Sequence, residues 1–571
     1  MKEFFVALDG LDSNEGTFES PFCSINRAKD AVRESMQTST DDHTVFIKAG
    51  MYLLSKPLIF NYLDGGRENS KITYRAYKDD KVTLSGGIKV DNWTTHEKNI
   101  WKATCPVEDT RQFYANAKRM SRARGEADFK EEIIDWGHLT SNTEMQNWRN
   151  IQDIEVVYKD WWTLPRLHIE KIEGNKIFMQ EPSFMLARTK AGRQIGVPTW
   201  IENAYELLTE PEEWYLDKVE RMLYFIPPEG MNPNEMECIV PGVSSLLQVR
   251  SSSDNPIKNL EFHGIEFAHA TWLGPNQYGV GMPEVQANVF LILEGEEKRR
   301  VMTPGNVYVE HADNLSFIRC KFTHLGGAGL DLRHGVKNSR VEGCSFYDIS
   351  GSGIQVGEIY HPDYKRERPG AVVDIEIKNN LITKCAQEFK GGCGIFTGYV
   401  QDVKIEYNTV CNLPYTGISL GWGWSCDPTV CKQNSVSFNH IHSIIQELID
   451  GGGIYTLSLQ PGTIVEGNHI HDSGWNGLYP DERTARTIWK DNVVYRCEYS
   501  IQDHTLIDPK HNEIAGNYLD VPPFRTGFLD DPVYDANNWD IDLDQGKIKT
   551  IIQNAGIMDE YKDIMDKIDL S

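Results

Sequence analysis

Three segments in close succession, L-I-D-G-G-G-I-Y-T (448–456), G-T-I-V-E-G-N-H-I-H (462–471) and W-N-G-L-Y-P-D-E-R-T (475–484), decide the fold. The first and third share a plan: glycine, an apolar residue, tyrosine, and an aspartate close by. The second is a short alternating strand around an asparagine. Both units recur. The strand unit returns as N-L-S-F-I-R-C-K-F (314–322), V-K-I-E-Y-N-T-V (403–410), N-S-V-S-F-N-H-I (434–441) and R-T-I-W-K-D-N-V-V (486–494). The glycine unit returns as G-A-G-L-D-L (327–332), G-S-G-I-Q-V (351–356), G-C-G-I-F-T (392–397) and Y-T-G-I-S-L (415–420). They alternate at roughly 22–30 residues per cycle, a period that belongs to solenoids.

The repeat predicts an all-β fold, a parallel β-helix. Alternation within each strand points Ile, Leu and Val inward and polar residues outward. Asn380, Asn408, Asn439, Asn468, Asn492 and Asn517 recur at one place in the cycle. Asparagine tolerates left-handed backbone, and its amide can bond the rungs above and below. An open β-sandwich with regular turns is the alternative, but a sandwich has no need of one motif in every cycle.

Away from the repeat, four regions are expected. Residues 1–95 read as the start of the coil. There S-I-N-R-A-K-D-A-V-R-E-S-M (24–36) forms a helix with Ser24 as N-cap and Ile25, Ala28, Ala31 and Val32 on its apolar stripe. Such a helix suits the end of a solenoid, whose first rung otherwise exposes its core. Residues 96–243 break the rhythm and read as an inserted or lateral β-rich module, Trp-rich at Trp136, Trp148, Trp161 and Trp162. Residues 244–521 are the main coil. Residues 522–571 lose the period and end in short helices that cap the coil or pack along it.

Composition narrows the function. The 571 residues are too many for one ordinary compact domain but suit a coil that grows by rungs. A net charge of −25 argues against nucleic acid and anionic membranes as partners. The first residues hold no apolar leader and no window is long and apolar enough to span a bilayer, so a cytoplasmic location is expected. The sequence leaves room for an oligomer. Eleven cysteines without a C-x-x-C pair are expected to be reduced and mostly buried. No metal and no cofactor are expected: H-I-H occurs at 440–442 and again at 469–471, but both follow the ladder asparagine, so the repeat accounts for them.

The chemistry is expected at Asp450 and Asp481. If Ile454 and Leu478 are equivalent inward residues, Asp450 precedes its anchor and Asp481 follows its own, so the two acids bracket one groove-lining strand. Neighbouring rungs lie ~4.8 Å apart, within reach of the carboxylate separations that glycosidases use. Beside glycine, either aspartate alone has an ordinary explanation as a turn former. As a pair amid aromatic residues they read as functional. Around them stand Tyr415, Trp422, Trp424, Tyr455, Trp475, Tyr479, Glu482, Asp503 and His504. Sugars present C–H faces to aromatic rings and hydroxyls to carboxylates, amides and imidazoles. Glu358 and His361 in V-G-E-I-Y-H-P-D (356–363) are candidates for the groove further back, against a plain reading as solvated loop. No G-x-S-x-G, Walker-type loop, H-E-x-x-H or dinucleotide fingerprint is present.

F-F-V-A-L-D-G-L-D-S-N-E-G-T-F-E-S-P-F (4–22), E-W-Y-L-D (213–217), L-P-Y-T-G-I-S-L-G-W-G-W (413–424), D-G-G-G-I-Y-T-L-S-L-Q-P-G-T (450–463) and L-Y-P-D-E (478–482) resemble right-handed parallel β-helix glycosidases. Glycoside hydrolase family 141, with α-L-fucosidase and xylanase activities, is the nearest resemblance; family 120 β-xylosidases are more distant. The resemblance covers most of the chain, most specifically 390–485, and implies catalytic acids at Asp450 and Asp481. In the β-xylosidase family the position like Asp481 is the nucleophile, and the acid/base lies one rung later, where Asp503 is the carboxylate here. L-Y-P-D-E-R-T departs from the usual L-Y-L-D-E-G-S at Pro480 and Arg483. Pro480 stiffens the approach to Asp481, and the Arg483 cation is expected to lower a neighbouring carboxyl's pKa.

The expected function is hydrolysis of a glycosidic bond, exo-acting on a short oligosaccharide or glycoside of fucoside or xyloside type. Asp481 is expected as nucleophile or base and Asp450 as acid or its partner. The rivals are a β-helix polysaccharide lyase, which needs a Lys or Arg base and an Asp cluster for calcium, and a non-catalytic carbohydrate-binding β-helix.

Overall fold

The computed structural model describes the chain except for residues 127, 191, 278–281, 361–369, 506–511, 522–523, 526–536, 540, 545 and 567–571. The architecture is a parallel β-helix. One long sheet collects a strand from each rung between Lys2–Val6 and Glu513–Ala515, in parallel register, and the ladder asparagines follow its later strands. A second sheet collects the strands of the other two faces. In the last full rungs those faces fuse into single strands, His469–Pro480 and Val493–Asp503.

The glycine unit supplies the inner column of the coil. Ile354, Ile395, Ile418, Ile454, Leu478 and Ile501 pair rung to rung, and all are buried. Ile454 and Leu478 are thus equivalent, as the motif implied. Aromatic residues fill the wider first half, where Phe322 and Phe346 stack with centroids 4.5 Å apart. Two cycles, from Ile354 to Ile395 and from Ile418 to Ile454, exceed the expected period because loops leave the coil there.

The asparagines form a continuous ladder. The Asn408 backbone N–H and side-chain amide both donate to Asn439 Oδ1, at 3.0 Å each, and Asn439 treats Asn468 the same way. The series runs on through Asn492 and Asn517 to Asn537, one rung beyond the sequence motif. Every turn at this corner therefore satisfies its buried polar groups internally, as a dry stack requires.

The start of the chain matches its pattern. Helix Ile25–Met36 is capped by Ser24, whose hydroxyl accepts from the Arg27 N–H, and its stripe closes on the core. Strand Ile72–Ala76 then pairs directly with Ile257–His263, and Val82–Ser85 with Ile265–Ala270. The residues between leave the coil and form three separate, largely antiparallel sheets with cores of their own.

One feature had no sequence signal. Strands Glu284–Gln286, Val289–Glu294 and Glu297–Met302 form a small antiparallel sheet inserted in the coil region. The C-terminal helix Gly546–Asn554 and the turn Asp559–Ile564 lie along the flank of the coil, not across its end: Ile548 and Ile551 pack on Val493 and Tyr495, and Ile557 and Ile564 on Leu381 and Cys411. All eleven cysteines are free thiols, nine of them buried. Among the described residues no helix is long and apolar enough to cross a membrane.

Candidate active site

Asp450 ends the loop that enters strand Gly452–Thr456, and its backbone is left-handed at φ 61°. The Tyr415 hydroxyl holds that turn by donating to the Asp450 carbonyl, at 2.9 Å. Gly451 follows because a β-carbon there would sit 2.3 Å from Thr416 Oγ1. Asp481 follows strand His469–Pro480, and its N–H reaches the Thr456 carbonyl at 3.0 Å, one step beyond the last pair of the two strands, Thr456 and Pro480. The acids therefore stand at opposite ends of neighbouring, paired strands.

Between them lie two tyrosines. With Ile454 and Leu478 pointing inward, alternation turns Tyr455 and Tyr479 outward, side by side in register. The Tyr455 hydroxyl donates to Asp481 Oδ2 at 2.5 Å, and the Tyr479 hydroxyl donates to Asp450 Oδ1 at 2.8 Å. The rings meet edge to face with centroids 5.2 Å apart.

A cavity of about 290 Å³ opens over this network. Asp450, Asp481 and Glu482 supply its acids, and Tyr415, Tyr455, Trp422 and Trp424 its aromatic walls. Trp422 is buried with its ring against Phe396, whereas Trp424 is 38% exposed and carries the Arg300 guanidinium over its face.

The opposite wall comes from Trp162 of the lateral strands and from Val285, Gln286 and Arg300 of the inserted sheet. These parts are tied together: Trp162 Nε1 donates to the Val285 carbonyl at 2.9 Å, and the Leu164 N–H donates to the buried Glu284 carboxylate at 2.9 Å. Gln286 Nε2 donates to the Tyr455 hydroxyl at 3.3 Å, which links this wall to Asp481.

Burial dominates the electrostatics. It pushes the Asp481 carboxyl up to about 7, against the Tyr455 hydrogen bond, which pulls it down; the Asp450 charge adds to the rise. Asp481 Oδ1 is buried and accepts no hydrogen bond. Asp450 is also raised, first by burial, while the Tyr479 hydrogen bond and the nearby His504 oppose the rise. The lowering expected from Arg483 is not what the pair shows: both carboxyls move up.

Of the sequence-predicted residues, Asp450, Asp481, Trp422, Trp424, Tyr455 and Glu482 share the cavity, and Tyr479 underlies it. Four others do not line it. Trp475 turns away because the register shifts between Ser473 and Asn476, and it packs on Tyr499 and the core. The Glu358 carboxylate is taken by Arg333, at 2.8 Å. The Asp503 carboxylate caps its own turn by accepting from the Thr505 N–H at 3.0 Å. The His504 charge favours the Asp450 anion, but its side chain does not line the cavity. The third carboxylate at the cavity is Glu482, not Asp503. His361 lies outside the described residues. Sequence reasoning missed Trp162, Val285, Gln286 and Arg300, which belong to elements outside the repeat.

A family model described as "Right handed beta helix region" matches residues 238–423 and 302–479. The fold is a right-handed parallel β-helix. A solved structure titled "Glycoside hydrolase" superposes with a TM-score of 0.85 at 27% identity, covering 99% of this chain and 100% of that one. The complex of XylC with xylose gives a TM-score of 0.46 at 16% identity, covering 86% of this chain and 68% of that one. The GH136 lacto-N-biosidase from Eubacterium ramulus gives 0.39 at 12%, covering 90% and 60%. No curated protein matches the sequence.

Proposed function

We propose that this chain is a glycoside hydrolase that releases a terminal sugar from a short oligosaccharide or glycoside. The observation that carries the reading is the Asp450–Asp481 pair, a half-buried and a buried carboxyl, both raised by burial, at one aromatic-walled cavity. Glycosidic hydrolysis needs one protonated and one ionised carboxyl, and environments that separate two pKa values mark such pairs. Likeness to a "Glycoside hydrolase" along the whole chain supports it, as does the family 141 resemblance of D-G-G-G-I-Y and L-Y-P-D-E.

The environments favour roles opposite to those carried over from sequence. Asp481, at about 7, keeps its proton near neutrality, and its Oδ1 has no protein partner. It acts as general acid: the proton passes to the glycosidic oxygen as the bond from the anomeric carbon to that oxygen breaks. Asp450 is less buried, and the Tyr479 hydroxyl and the His504 charge both favour its anion, so it serves as nucleophile or as base for the incoming water. Trp422 and Trp424 offer faces to the ring of the sugar. The small cavity, at the low end of the ~300–1,000 Å³ usual for ligand sites, and its wall of Trp162, Val285 and Arg300 favour exo action on a compact sugar of fucoside or xyloside type.

The test is a panel of aryl glycosides (fucoside, xyloside, arabinoside, galactoside) with wild type, Asp450→Asn and Asp481→Asn. Loss of a carboxyl in either role is expected to lower kcat by ~10²–10⁴. Near-wild-type turnover in either variant sinks the assignment. An unsaturated product absorbing in the ultraviolet points instead to a lyase.

A further inference from the structure

The repeated H-I-H motifs do more than follow the ladder. Strand His440–Ile444 pairs with His469–Pro480 so that His440 faces His469 and His442 faces His471. Residues two apart in a strand share a face, so four imidazoles stand together on the outside of the coil. The His440 and His469 rings stack at 4.6 Å between centroids, and His442 and His471 at 5.1 Å.

Stacked columns are what the repeat alone dictates. The diagonal contact is not. His440 Nε2 and His471 Nε2 approach to 2.9 Å, and one ring nitrogen from each of His440, His469 and His471 lies within 4.8 Å of the other two. Zinc bound to imidazole at ~2.0–2.1 Å in tetrahedral geometry sets its nitrogens ~3.4 Å apart. A small opening of the His440–His471 contact, with the widest separation drawn in from as much as 4.8 Å, reaches that spacing.

The surroundings also fit. His471 Nδ1 donates to Asp472 Oδ2 at 2.6 Å, and Arg496 fixes that carboxylate at 2.6 and 2.7 Å. The proton on Nδ1 leaves the His471 Nε2 lone pair aimed into the cluster. A carboxylate behind a ligating imidazole is the usual partner that orients such a ligand. The Tyr495 hydroxyl lies 3.0 Å from His469 Nε2, on the next rung.

We infer that His440, His469 and His471 form a binding site for a divalent transition metal, with Asp472 orienting His471. The donor set of three imidazoles suits zinc, copper or nickel, not calcium or magnesium. The site lies on the face of the coil that the C-terminal segment crosses at Gly556, which passes close over His440. It is separate from the cavity at Asp450 and Asp481.

The experiment uses untagged full-length chain, stripped with a chelator and titrated with zinc chloride in a calorimeter, with cobalt(II) chloride as a spectroscopic probe. One zinc per chain is expected, with a rise in Tm and the visible absorption of tetrahedral cobalt. His471→Gln is expected to abolish the cobalt spectrum and His442→Gln to keep it. Asp472→Asn, at a half-exposed position that leaves the core untouched, is expected to weaken zinc by ~10–100-fold. Absence of saturable zinc binding in the wild type overturns the inference. So does unchanged affinity in both His471→Gln and Asp472→Asn, and Asp472→Asn still decides if His471→Gln fails to fold.

Discussion

Tyr455 and Tyr479 occupy matching positions on adjacent rungs, and each gives its hydroxyl to the aspartate of the other's rung. Two parallel strands in register thus cross-link the two acids without a direct contact between them. The crossing also couples each acid to a separate, removable donor. A phenol that donates to a carboxylate favours its charged form.

Removing the two donors is therefore expected to move different limbs of the pH profile. Tyr455→Phe takes a stabilising bond from the Asp481 carboxylate, so its pKa rises further from about 7. With Asp481 as acid, the alkaline limb of kcat/KM moves to higher pH. Tyr479→Phe raises Asp450, and with Asp450 needed as its anion, the acidic limb moves up. A bond to a charged group corresponds to a shift of about one pH unit. The profile with an aryl glycoside checks both. Movement of the opposite limb in either variant reverses the proposed roles.

Asp481 also links the site to stability. Its folded pKa of about 7 lies above the ~3.9 of an unfolded aspartate. Between those values the folded chain holds a proton that the unfolded chain has lost, so stability is fully present below about pH 4 and is lost as pH rises to about 7. The loss approaches ~1.4 kcal/mol per unit within that window. Asp481→Asn removes it. The variant is expected to melt higher than wild type at pH 8, with little difference near pH 4, while losing turnover. Melting curves at the two pH values measure this, and an equal or lower Tm at pH 8 contradicts the burial argument.

The legible part of the site was the part the repeat carries. Ile454 and Leu478 align because a coil copies one strand plan, and the plan fixes where Asp450 and Asp481 must leave the strands. The asparagine ladder was legible for the same reason. Trp475 was misplaced because a local register shift turns its side chain from the face that strict alternation gives it. Glu358 was misplaced because Arg333, one rung earlier, takes its carboxylate, and the repeat brings the two positions close without showing that they pair. Trp162 lies in the bend between strands Glu155–Val157 and Arg166–Glu173 and Arg300 in strand Glu297–Met302, outside the repeat, and only their docking on the coil brings them to the cavity.

That docking is expected to set substrate length. Trp162 closes the cavity and is pinned to the inserted sheet through Val285. Trp162→Ala opens this wall while leaving Asp450, Asp481 and both tyrosines in place. The variant is expected to lose affinity for aryl monoglycosides, with KM rising ~10-fold, and to gain several-fold on longer oligosaccharides relative to them. Truncating a large aromatic ring removes a contact worth about 1–3 kcal/mol. Chromatography of products from a defined oligosaccharide reads the change. An unaltered KM and length preference means that the wall does not limit the site.

Ion pairs tie the lateral module to the coil, through Arg111 and through Arg119, which lies 2.6 Å from Asp348. Arg111 is fully buried and pairs with Glu155 of its own module and with Glu388 of a coil loop, at 2.6 Å each. Glu155 is shared further with Arg122, and Glu388 accepts from Gln112 at 2.8 Å. Every one of these charges is shielded from water, so taking away the central one leaves Glu388 to the Gln112 amide and Glu155 to Arg122 in a dry setting. Arg111→Met is expected to destabilise the chain by ~3–5 kcal/mol, because breaking a buried pair leaves uncompensated charge. Arg111→Met combined with Glu155→Gln and Glu388→Gln is expected to recover much of that loss, since both carboxylate charges go with it. Calorimetric melting of the single and triple variants distinguishes the outcomes. A triple variant less stable than the single one means that packing of the guanidinium, not charge balance, holds the module to the coil.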